Sequence, residues 1–373
     1  MGQQVLITGG AGFIGSHLAD QLLERGHRVR VLDSLAAQVH GDAGERPAYL
    51  HDDVQLMRGD VTAHADVRRA LRDVDAVYHL AALVGVGQSM YQIEAYTRVN
   101  EVGTATLLEA IVEQGGVGRL VVASSMSVYG EGRYVDETGR VARNVSRDVD
   151  AMRRGQWEPV DGDGRALQPA PTPEEKPAEL ASVYALSKYA QERLALIVGH
   201  AYGIPTVALR FFNAYGPRQA LSNPYTGVLA IFASRLLNGR PPIVYEDGRQ
   251  LRDFVSVHDV ARACAAALEA DAAAGEVINI GSGQPRTVLE VADRLAAVLG
   301  RSDVKPHLSG QYRVGDIRHC YADVERARRL LGYEPRMSFD DGLAELAQWV
   351  ARQGAQDHVE QAHGELNTRG LTV

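Results

Sequence analysis

Three side chains in the sequence have the types and spacing needed to move a proton. Ser125 ends an apolar run, and Tyr184 and Lys188 lie four residues apart in a helical pattern, which puts both on one helix face. Tyrosine has an ordinary pKa of about 10, so Tyr184 acts as a base near neutral pH only if positive charge stabilises its phenolate. Lys188 supplies such charge, and Ser125 would share the proton of a substrate hydroxyl.

These residue types also have an ordinary structural interpretation. A tyrosine four residues before a lysine is usually a helix surface pair, and a serine at a strand end often caps a turn. The structural interpretation is the better one for Ser124 and Ser127. For Ser125, Tyr184 and Lys188 we favour the chemical interpretation, because a ligand-binding motif precedes them in the chain.

That motif is a glycine-rich turn with the spacing of a dinucleotide site. Gly9, Gly12 and Gly15 follow a strand-like run and open a helical pattern. Glycines there permit a tight turn, a close approach of the backbone to a pyrophosphate, and close helix packing. Asp33 ends the second strand-like run, where it can accept hydrogen bonds from both ribose hydroxyls and would repel a 2′-phosphate. The next two residues carry no positive charge, so NAD is favoured over NADP.

The elements that must position these residues follow an alternating pattern. Strand-like and helical segments succeed each other up to residue 210, which predicts a Rossmann-type, doubly wound parallel α/β sheet. In such a sheet the strand ends that carry the motifs meet at one edge. The predicted strands are 5–8, 29–32, 55–58, 76–80, 119–124 and 206–210, and helices 14–24 and 104–113 end at glycines.

After residue 210 the alternation gives way to segments punctuated by proline and glycine, which indicates a smaller second lobe interleaved with the first. We predict an NAD-binding domain of residues 1–209 and 255–283 and a substrate lobe of residues 210–254 and 284–350. The polar segment 355–373 is expected to fray. Further helices are predicted at 229–237, 257–268, 288–299 and 324–330.

Residues 131–180 do not fit this plan. The segment is rich in charge, glycine and proline and is too long for an ordinary connection. It ends just before Tyr184, so it must lie near any site there. Two interpretations stay open, a disordered insertion and a lid.

Composition narrows the class of protein. With 373 residues and 45% hydrophobic content, the chain is long enough for a large buried core. A net charge of −8 and a pI near 5.9 make nucleic acid an unsuitable partner,. Two cysteines argue against a disulfide framework and a zinc site,, so we expect no metal. The sequence also lacks a recognisable leader or an apolar run of membrane-spanning length, so a soluble cytoplasmic enzyme without a membrane partner is expected.

At this point the chain resembles the extended short-chain dehydrogenase/reductase superfamily, and within it the nucleotide-sugar epimerase/dehydratase group, over about residues 3–350. The resemblance implies NAD as the cofactor, a nucleotide-diphosphate sugar as the substrate, and a homodimer paired through two helices at 104–113 and 183–200. The motifs that carry it are the glycine turn, Asp60–Val61, residues 79–82, Ser125, Tyr184 with Lys188, and residues 210–217, 252–255 and 313–316.

The resemblance also implies roles for individual residues. Asp60 and Val61 would bind adenine, and Asn213, Arg252 and Arg313 would surround the diphosphate, whose charged oxygens suit two guanidinium groups. Any one of these arginines could equally form a surface ion pair. The resemblance adds Phe13, Ile14, Leu80, Ala81 and Ala82 to the cofactor site, and Met126 and Cys320 to the sugar site.

The same resemblance distinguishes epimerisation from water elimination. Members of the group that eliminate water carry a threonine, an aspartate and a glutamate where this chain has Ser125, Met126 and Ser127. The acid and the base for elimination are therefore missing. We expect an NAD-dependent 4-epimerase, which oxidises the sugar at C4 to a 4-keto sugar and reduces it from the opposite face. A dehydrogenase, reductase or decarboxylase of the same scaffold is the alternative, and a dinucleotide-binding regulator without catalysis is a third.

Short segments of the sequence resemble particular subgroups of this family and indicate the substrate. Residues 84–91 and 222–227, with the long insertion, resemble the dTDP-L-rhamnose 4-epimerase subgroup, while UDP-hexose epimerases are the other similar members. Gly87 lacks the basic side chain that uronic-acid epimerases often have nearby, and Val84 replaces a lysine of galactose-type epimerases. Cys320 matches a position beside the sugar, where a small side chain leaves space for a bulky substituent. It could equally be a small buried core residue.

Overall fold

A computed structural model describes residues 2–41, 44–221, 223, 227–313, 315–353 and 359–372. At its centre lies a seven-stranded parallel sheet with the order β12-β8-β5-β4-β1-β2-β3. The strands are β1 (Gln4–Thr8), β2 (Arg28–Asp33), β3 (Gln55–Arg58), β4 (Ala76–His79), β5 (Arg119–Ser125), β6 (Arg133–Val135), β7 (Gln168–Ala170), β8 (Thr206–Phe211), β9 (Asn213–Tyr215), β10 (Ile243–Val244), β11 (Leu251–Ser256), β12 (Val277–Ile280), β13 (Pro285–Thr287), β14 (His307–Leu308) and β15 (His319–Cys320).

Helices cover both faces of this sheet. They are α1 (Phe13–Glu24), α2 (Ala37–His40), α3 (His64–Ala70), α4 (Val86–Ser89), α5 (Ile93–Tyr96), α6 (Gly103–Gln114), α7 (Val149–Arg153), α8 (Val183–Tyr202), α9 (Val228–Leu237), α10 (Val257–Glu269), α11 (Val288–Val298), α12 (Glu325–Leu331), α13 (Phe339–Val350) and α14 (Val359–Thr368), with a π-helix at Thr97–Val102 and 3₁₀ turns at Met126–Tyr129 and Asp271–Ala273.

Two apolar clusters explain why the sheet is buried on both faces. On one face, Leu18 and Leu22 of α1 pack with Val260 of α10 and the alternate residues of β1 and β2. On the other face, Leu107 of α6 and Ala195 of α8 pack against the remaining residues of the same strands. The predicted doubly wound parallel fold is confirmed. The sequence analysis located six of the seven strands and missed β12, a four-residue run.

A second lobe lies at the carboxyl ends of the strands. Its core joins α9, α11 and α13 around Phe254 of β11 and Tyr215 of β9. β11 pairs with β9 and β15 in parallel and with β13 in antiparallel orientation. The division of the chain into two domains at the predicted boundaries stays a prediction.

The sequence leaves disorder and a lid open for the insertion and predicts fraying for the C-terminal segment, yet both segments contain regular structure. Within 131–180, β6 and β7 form an antiparallel pair, and buried side chains such as Tyr134 and Met152 pack inside the molecule. The prediction that the tail frays is wrong for α14, in which Leu366 is buried. Within the described part of the chain, each helix is too short or too polar to cross a membrane.

Candidate active site

A cavity of about 740 Å³ lies at the carboxyl edge of the central sheet, between the glycine turn and the second lobe. Its lining brings together residues that are distant in sequence, from the first β–α turn, the end of β5, the start of α8 and the second lobe. The sequence-predicted residues that line it are Gly9, Gly12, Phe13, Ile14, Gly15, Asp33, Asp60, Val61, Leu80, Ala81, Ala82, Ser125, Met126, Tyr184, Lys188, Asn213, Arg252 and Arg313.

The glycine turn forms one end of the cavity, and its shape requires glycine. Gly9 has a φ of 69°, and a Cβ there would lie 2.7 Å from the Cα atom of Ala81. A Cβ on Gly15 would lie 2.5 Å from the Cα atom of Gly10, so α1 packs directly against the turn. The first-turn N–H groups of α1 have no acceptor within the helix, and Phe13 and Ile14 line the cavity. The turn can therefore bind an anionic pyrophosphate.

Asp33 lies beside this turn with a fixed carboxylate. The N–H of Ala11 donates to Oδ2 at 3.0 Å and the N–H of Leu35 donates to Oδ1 at 2.9 Å. His40 Nε2 lies 3.8 Å from Oδ1, and burial lowers the pKa of His40, which favours its neutral form. The carboxylate of Asp33 is thus oriented beside the turn by two backbone N–H groups, which fits the ribose of NAD and opposes a 2′-phosphate. Sequence analysis missed His40.

Ser125 and Tyr184 meet where β5 ends and α8 begins. Ser182 caps α8 by accepting a hydrogen bond from the N–H of Ala185 at 3.1 Å,, and the N–H of Tyr184 donates to Ser89 Oγ at 3.0 Å. Burial raises the pKa of Tyr184, while a hydrogen bond with Ser125 lowers it. The serine therefore favours the phenolate that a base requires.

Lys188 lies one turn further along α8 and is buried. Burial lowers its pKa to about 7, against the opposing effect of Glu192. Its Nζ donates to Gln191 Oε1 at 2.6 Å, and Gln191 Nε2 in turn donates to Thr104 Oγ1 at 2.9 Å. This network fixes the position of the Lys188 amino group. Sequence analysis missed Gln191, for which the spacing of three residues from Lys188 was the available signal.

A buried ion pair joins α8 to the sheet beneath these residues. Glu192 accepts from Arg210 Nη2 at 2.7 Å and from Arg210 Nε at 2.9 Å. The hydroxyl of Ser124 donates to the same carboxylate at 2.7 Å. Because Arg210 is on β8 and Ser124 on β5, this contact fixes the helix relative to both strands.

The far end of the cavity carries the two predicted arginines. Arg252 Nη2 lies 3.2 Å from Asp316 Oδ1, and Arg313 Nη2 lies 2.9 Å from Asp316 Oδ2. Asn213 Oδ1 is buried and has no hydrogen-bond partner among the described residues. A buried oxygen without a partner is costly, so a ligand hydroxyl or amide that donates to it would be favoured. Paired guanidinium groups suit a diphosphate.

Cys320 and two of the predicted motifs differ from the other expected site residues. Cys320 lies outside the cavity lining, packed with Met126 and Val128 in a small apolar cluster, and its thiol is 3.8 Å from Thr172 Oγ1. This packing favours the core interpretation of Cys320, and its place beside the sugar stays a prediction. In the motifs 222–227 and 313–316, Ser222, residues 224–226 and Val314 lie outside the described residues.

The C-terminal helix contributes lining residues that sequence analysis did not predict. Val359, His363 and Leu366 of α14 line the cavity. His363 Nδ1 lies 2.9 Å from the hydroxyl of Tyr245, another lining residue. A Cβ on Gly87 would lie 3.2 Å from a methyl group of Leu366, so the absence of a side chain at position 87 makes room for this helix.

Sequence comparison places the chain among known proteins. Residues 5–146 and 160–281 match the NAD dependent epimerase/dehydratase family. The chain is 37% identical to dTDP-L-rhamnose 4-epimerase of Burkholderia thailandensis, over 94% of this chain and 96% of that protein.

Solved structures share the fold. The UDP-glucose 4-epimerase of Thermotoga maritima, solved with UDP-glucose, has a TM-score of 0.76 and 30% identity, covering 94% of this chain and 99% of that one. The UDP-glucose 4-epimerase of Thermus thermophilus, solved with NAD, has a TM-score of 0.72 and 31% identity, covering 94% and 100%. Together with the glycine turn, Asp33 and the cavity-lining Ser125, Tyr184 and Lys188, these matches show that the chain belongs to the NAD-dependent epimerase/dehydratase family, whose cofactor is NAD.

Proposed function

We propose that the protein is an NAD-dependent nucleotide-sugar 4-epimerase. The observation that carries the proposal is the placement of Ser125, Tyr184 and Lys188 in the same cavity as the dinucleotide turn and two arginines. The lining includes residues suited to a dinucleotide, residues suited to a second charged ligand, and the three residues proposed for proton transfer.

The chain's own residues supply the proton chemistry of this reaction. Bound NAD would accept hydride from the sugar C4 and later return it. Tyr184 takes the proton of the C4 hydroxyl as the C4–H bond breaks and the C4=O bond forms, while Ser125 hydrogen-bonds the same oxygen. After the keto sugar turns over, Tyr184 returns the proton to that oxygen and the opposite configuration results. No net oxidation occurs, and Lys188 stabilises the phenolate between the two steps.

The end of β5 supports epimerisation over water elimination. Met126 is apolar, and the hydroxyl of Ser127 donates to Ser125 Oγ at 2.9 Å, so neither residue offers a carboxyl group for elimination. A dehydrogenase, reductase or decarboxylase of this family is the alternative function. A dehydrogenase would form NADH, a reductase would consume it and a decarboxylase would release CO₂ from the sugar, whereas an epimerase makes no net change in any of these.

For the substrate we propose a dTDP-6-deoxyhexose such as dTDP-L-rhamnose, with a UDP-hexose as the second candidate. The Burkholderia thailandensis relative is named for the first compound, and the Thermotoga maritima structure was solved with UDP-glucose. Residues 84–87 of the lining carry no charge. A neutral sugar suits such a wall better than a uronic acid does.

We also propose a homodimer formed through α6 and α8. Leu186 and Ile197 of α8 are exposed and lie eleven residues apart, which puts them on one helix face. Val102, directly before α6, is also exposed. A second copy of the chain that packs α6 and α8 into a four-helix bundle would cover these side chains.

Replacing Tyr184 tests the proposed function. Tyr184→Phe removes only the proton-transferring hydroxyl, so turnover of dTDP-L-rhamnose or UDP-glucose to its C4 epimer, followed by NMR, should fall at least about 100-fold. Bound NAD should be unchanged. Tyr189→Phe is the matched control, because Tyr189 lies on the same helix but packs in the cluster of Val128 and Tyr129. Epimerisation at the parental rate in Tyr184→Phe would contradict the mechanism.

A further inference from the structure

The insertion 131–180 is connected to the second lobe by a buried ionic cluster. Arg147, which is 5% exposed, lies at its centre. Its Nε lies 3.0 Å from Glu131 Oε1, and its Nη1 lies 2.6 Å from Glu246 Oε1. Its Nη2 donates to the backbone carbonyl of Asp316 at 3.0 Å. All three nitrogens of one guanidinium group therefore have partners on three different segments.

Arg318 forms the second half of this cluster and is fully buried. Its Nη1 lies 2.8 Å from Glu246 Oε2 and 2.7 Å from Asp247 Oδ1. Glu158 of the insertion pairs with the Arg318 guanidinium group, and its other oxygen lies 2.8 Å from His319 Nε2. Taking so many charges out of water is expensive. The cluster has a fixed geometry, because each charged group needs its oppositely charged partners to offset its loss of hydration.

The insertion also contacts the backbone of this segment. The carboxylate of Glu131 accepts a hydrogen bond from the N–H of Arg318 at 2.8 Å and lies within 3.3 Å of the N–H of His319. Together with the contact of Arg147 to the carbonyl of Asp316, these bonds fix residues 316–319 from one side. Glu131 and Arg147, two charged side chains of the insertion, are thus buried against this segment.

The opposite side of the same segment carries the predicted diphosphate arginines. Arg252 Nη1 donates to the carbonyl of Arg318 at 2.9 Å, and its Nη2 donates to the carbonyl of Ile317 at 2.6 Å. Asp316 pairs with both Arg252 and Arg313. Residues 316–319 therefore lie between the insertion and the two guanidinium groups that line the cavity.

We propose that the insertion positions Arg252 and Arg313 for the diphosphate of the substrate, with Arg147 as the positioning residue. The inference rests on the proposed function, because it assigns the arginines to a nucleotide-diphosphate sugar. Arg147 lies outside the cavity lining and acts through the backbone of Asp316 and through Glu131. Its role is to fix the orientation of two binding residues rather than to bind.

Affinity for a nucleoside diphosphate separates this role from catalysis. We would measure binding of dTDP and UDP to the full-length enzyme by calorimetry, and KM and kcat with dTDP-L-rhamnose and UDP-glucose. Arg147→Ala should weaken nucleoside diphosphate binding and raise KM by roughly 10- to 100-fold, because small misplacement of a binding group has large effects. The kcat at saturation and the NAD content should stay within about twofold to threefold of the parent.

The insertion offers a matched control. Arg165 belongs to the same segment, and its exposed side chain pairs with Glu137 and Asp163. Arg165→Ala should leave affinity, KM and kcat unchanged. Arg147→Lys, which keeps the charge but cannot reach three partners, should give an intermediate loss of affinity, and it serves if Arg147→Ala does not fold.

The outcomes are distinguishable. Parental affinity in both Arg147 variants, or equal losses of kcat, NAD content and affinity, would overturn the positioning role. Failure of the parent enzyme to bind dTDP or UDP, or to turn over either sugar nucleotide, would instead overturn the proposed function.

Discussion

At the scale of single residues, the behaviour of Tyr184 depends on opposing influences. Burial disfavours its phenolate, whereas the hydrogen bond with Ser125 favours it. Lys188 lies one helical turn away, where burial lowers its pKa and Glu192 opposes that effect. Reactivity of the tyrosine is therefore set by neighbours that the fold brings together from β5 and α8.

Removing the Ser125 hydroxyl should change the pH dependence of the reaction. The hydrogen bond lowers the pKa of Tyr184, so Ser125→Ala should raise it, and a higher pH is then needed to deprotonate the base. We expect the acidic limb of the kcat/KM profile to move to higher pH by about one unit, which corresponds to one hydrogen bond. Tyr189→Phe is the control, since it removes a hydroxyl from the same helix as Tyr184 at a side chain that packs in the cluster of Val128 and Tyr129. An acidic limb at the same pH in Ser125→Ala and the parent would show that Ser125 does not tune Tyr184.

Residue types and spacing identified the cavity-lining groups where a local rule applies. Gly9 needs a positive φ, Tyr184 and Lys188 share a helix face, and Asp33 ends a strand, and each rule is visible in the sequence. The predicted place of Cys320 beside the sugar came from the family resemblance alone, and the structure places Cys320 in a core cluster. The sequence analysis missed His40 because the approach of His40 to Asp33 depends on the path of the chain between β2 and α2.

At the scale of secondary-structure elements, the exposed face of α8 makes the proposed dimer testable. Ile197 is 57% exposed, and a charge there would be buried in a dimer interface at high cost. Ile197→Glu should therefore convert a dimer into a monomer, as measured by light scattering after size-exclusion chromatography. Val298→Glu, at an exposed apolar position on α11, should leave the oligomeric state unchanged. A monomeric parent protein would contradict the dimer.

The insertion and the tail show where local patterns are insufficient. Arg147 and Glu158 look like solvated charges in the sequence, yet their partners lie far along the chain at Glu246 and Arg318. Helix α14 has a polar composition, but Leu366 is buried against Gly87. Both segments depend on contacts over long sequence distances, which neither composition nor periodicity encodes.

At the scale of the whole molecule, the parallel sheet explains why these residues share one cavity. The carboxyl ends of its strands deliver Asp33 from β2 and Ser125 from β5 to the same edge, with Asn213 following the end of β8. The alternation of apolar strand-like runs with helical segments predicted six of its seven strands, because strands that are buried on both faces read as continuous apolar runs. The second lobe was less predictable, since its short strands pair across long sequence gaps.

The central claim is that hydride leaves C4 of a nucleotide sugar and returns to the same carbon within one enzyme molecule. The most direct measurement is to incubate the purified protein, without added cofactor, in D₂O with dTDP-L-rhamnose or UDP-glucose. The C4 signal is followed by proton NMR, and NADH by absorbance. We predict a C4 epimer that retains protium at C4, with no accumulation of NADH. Deuterium at C4 of the product, or NADH formed in proportion to sugar consumed, would contradict the account.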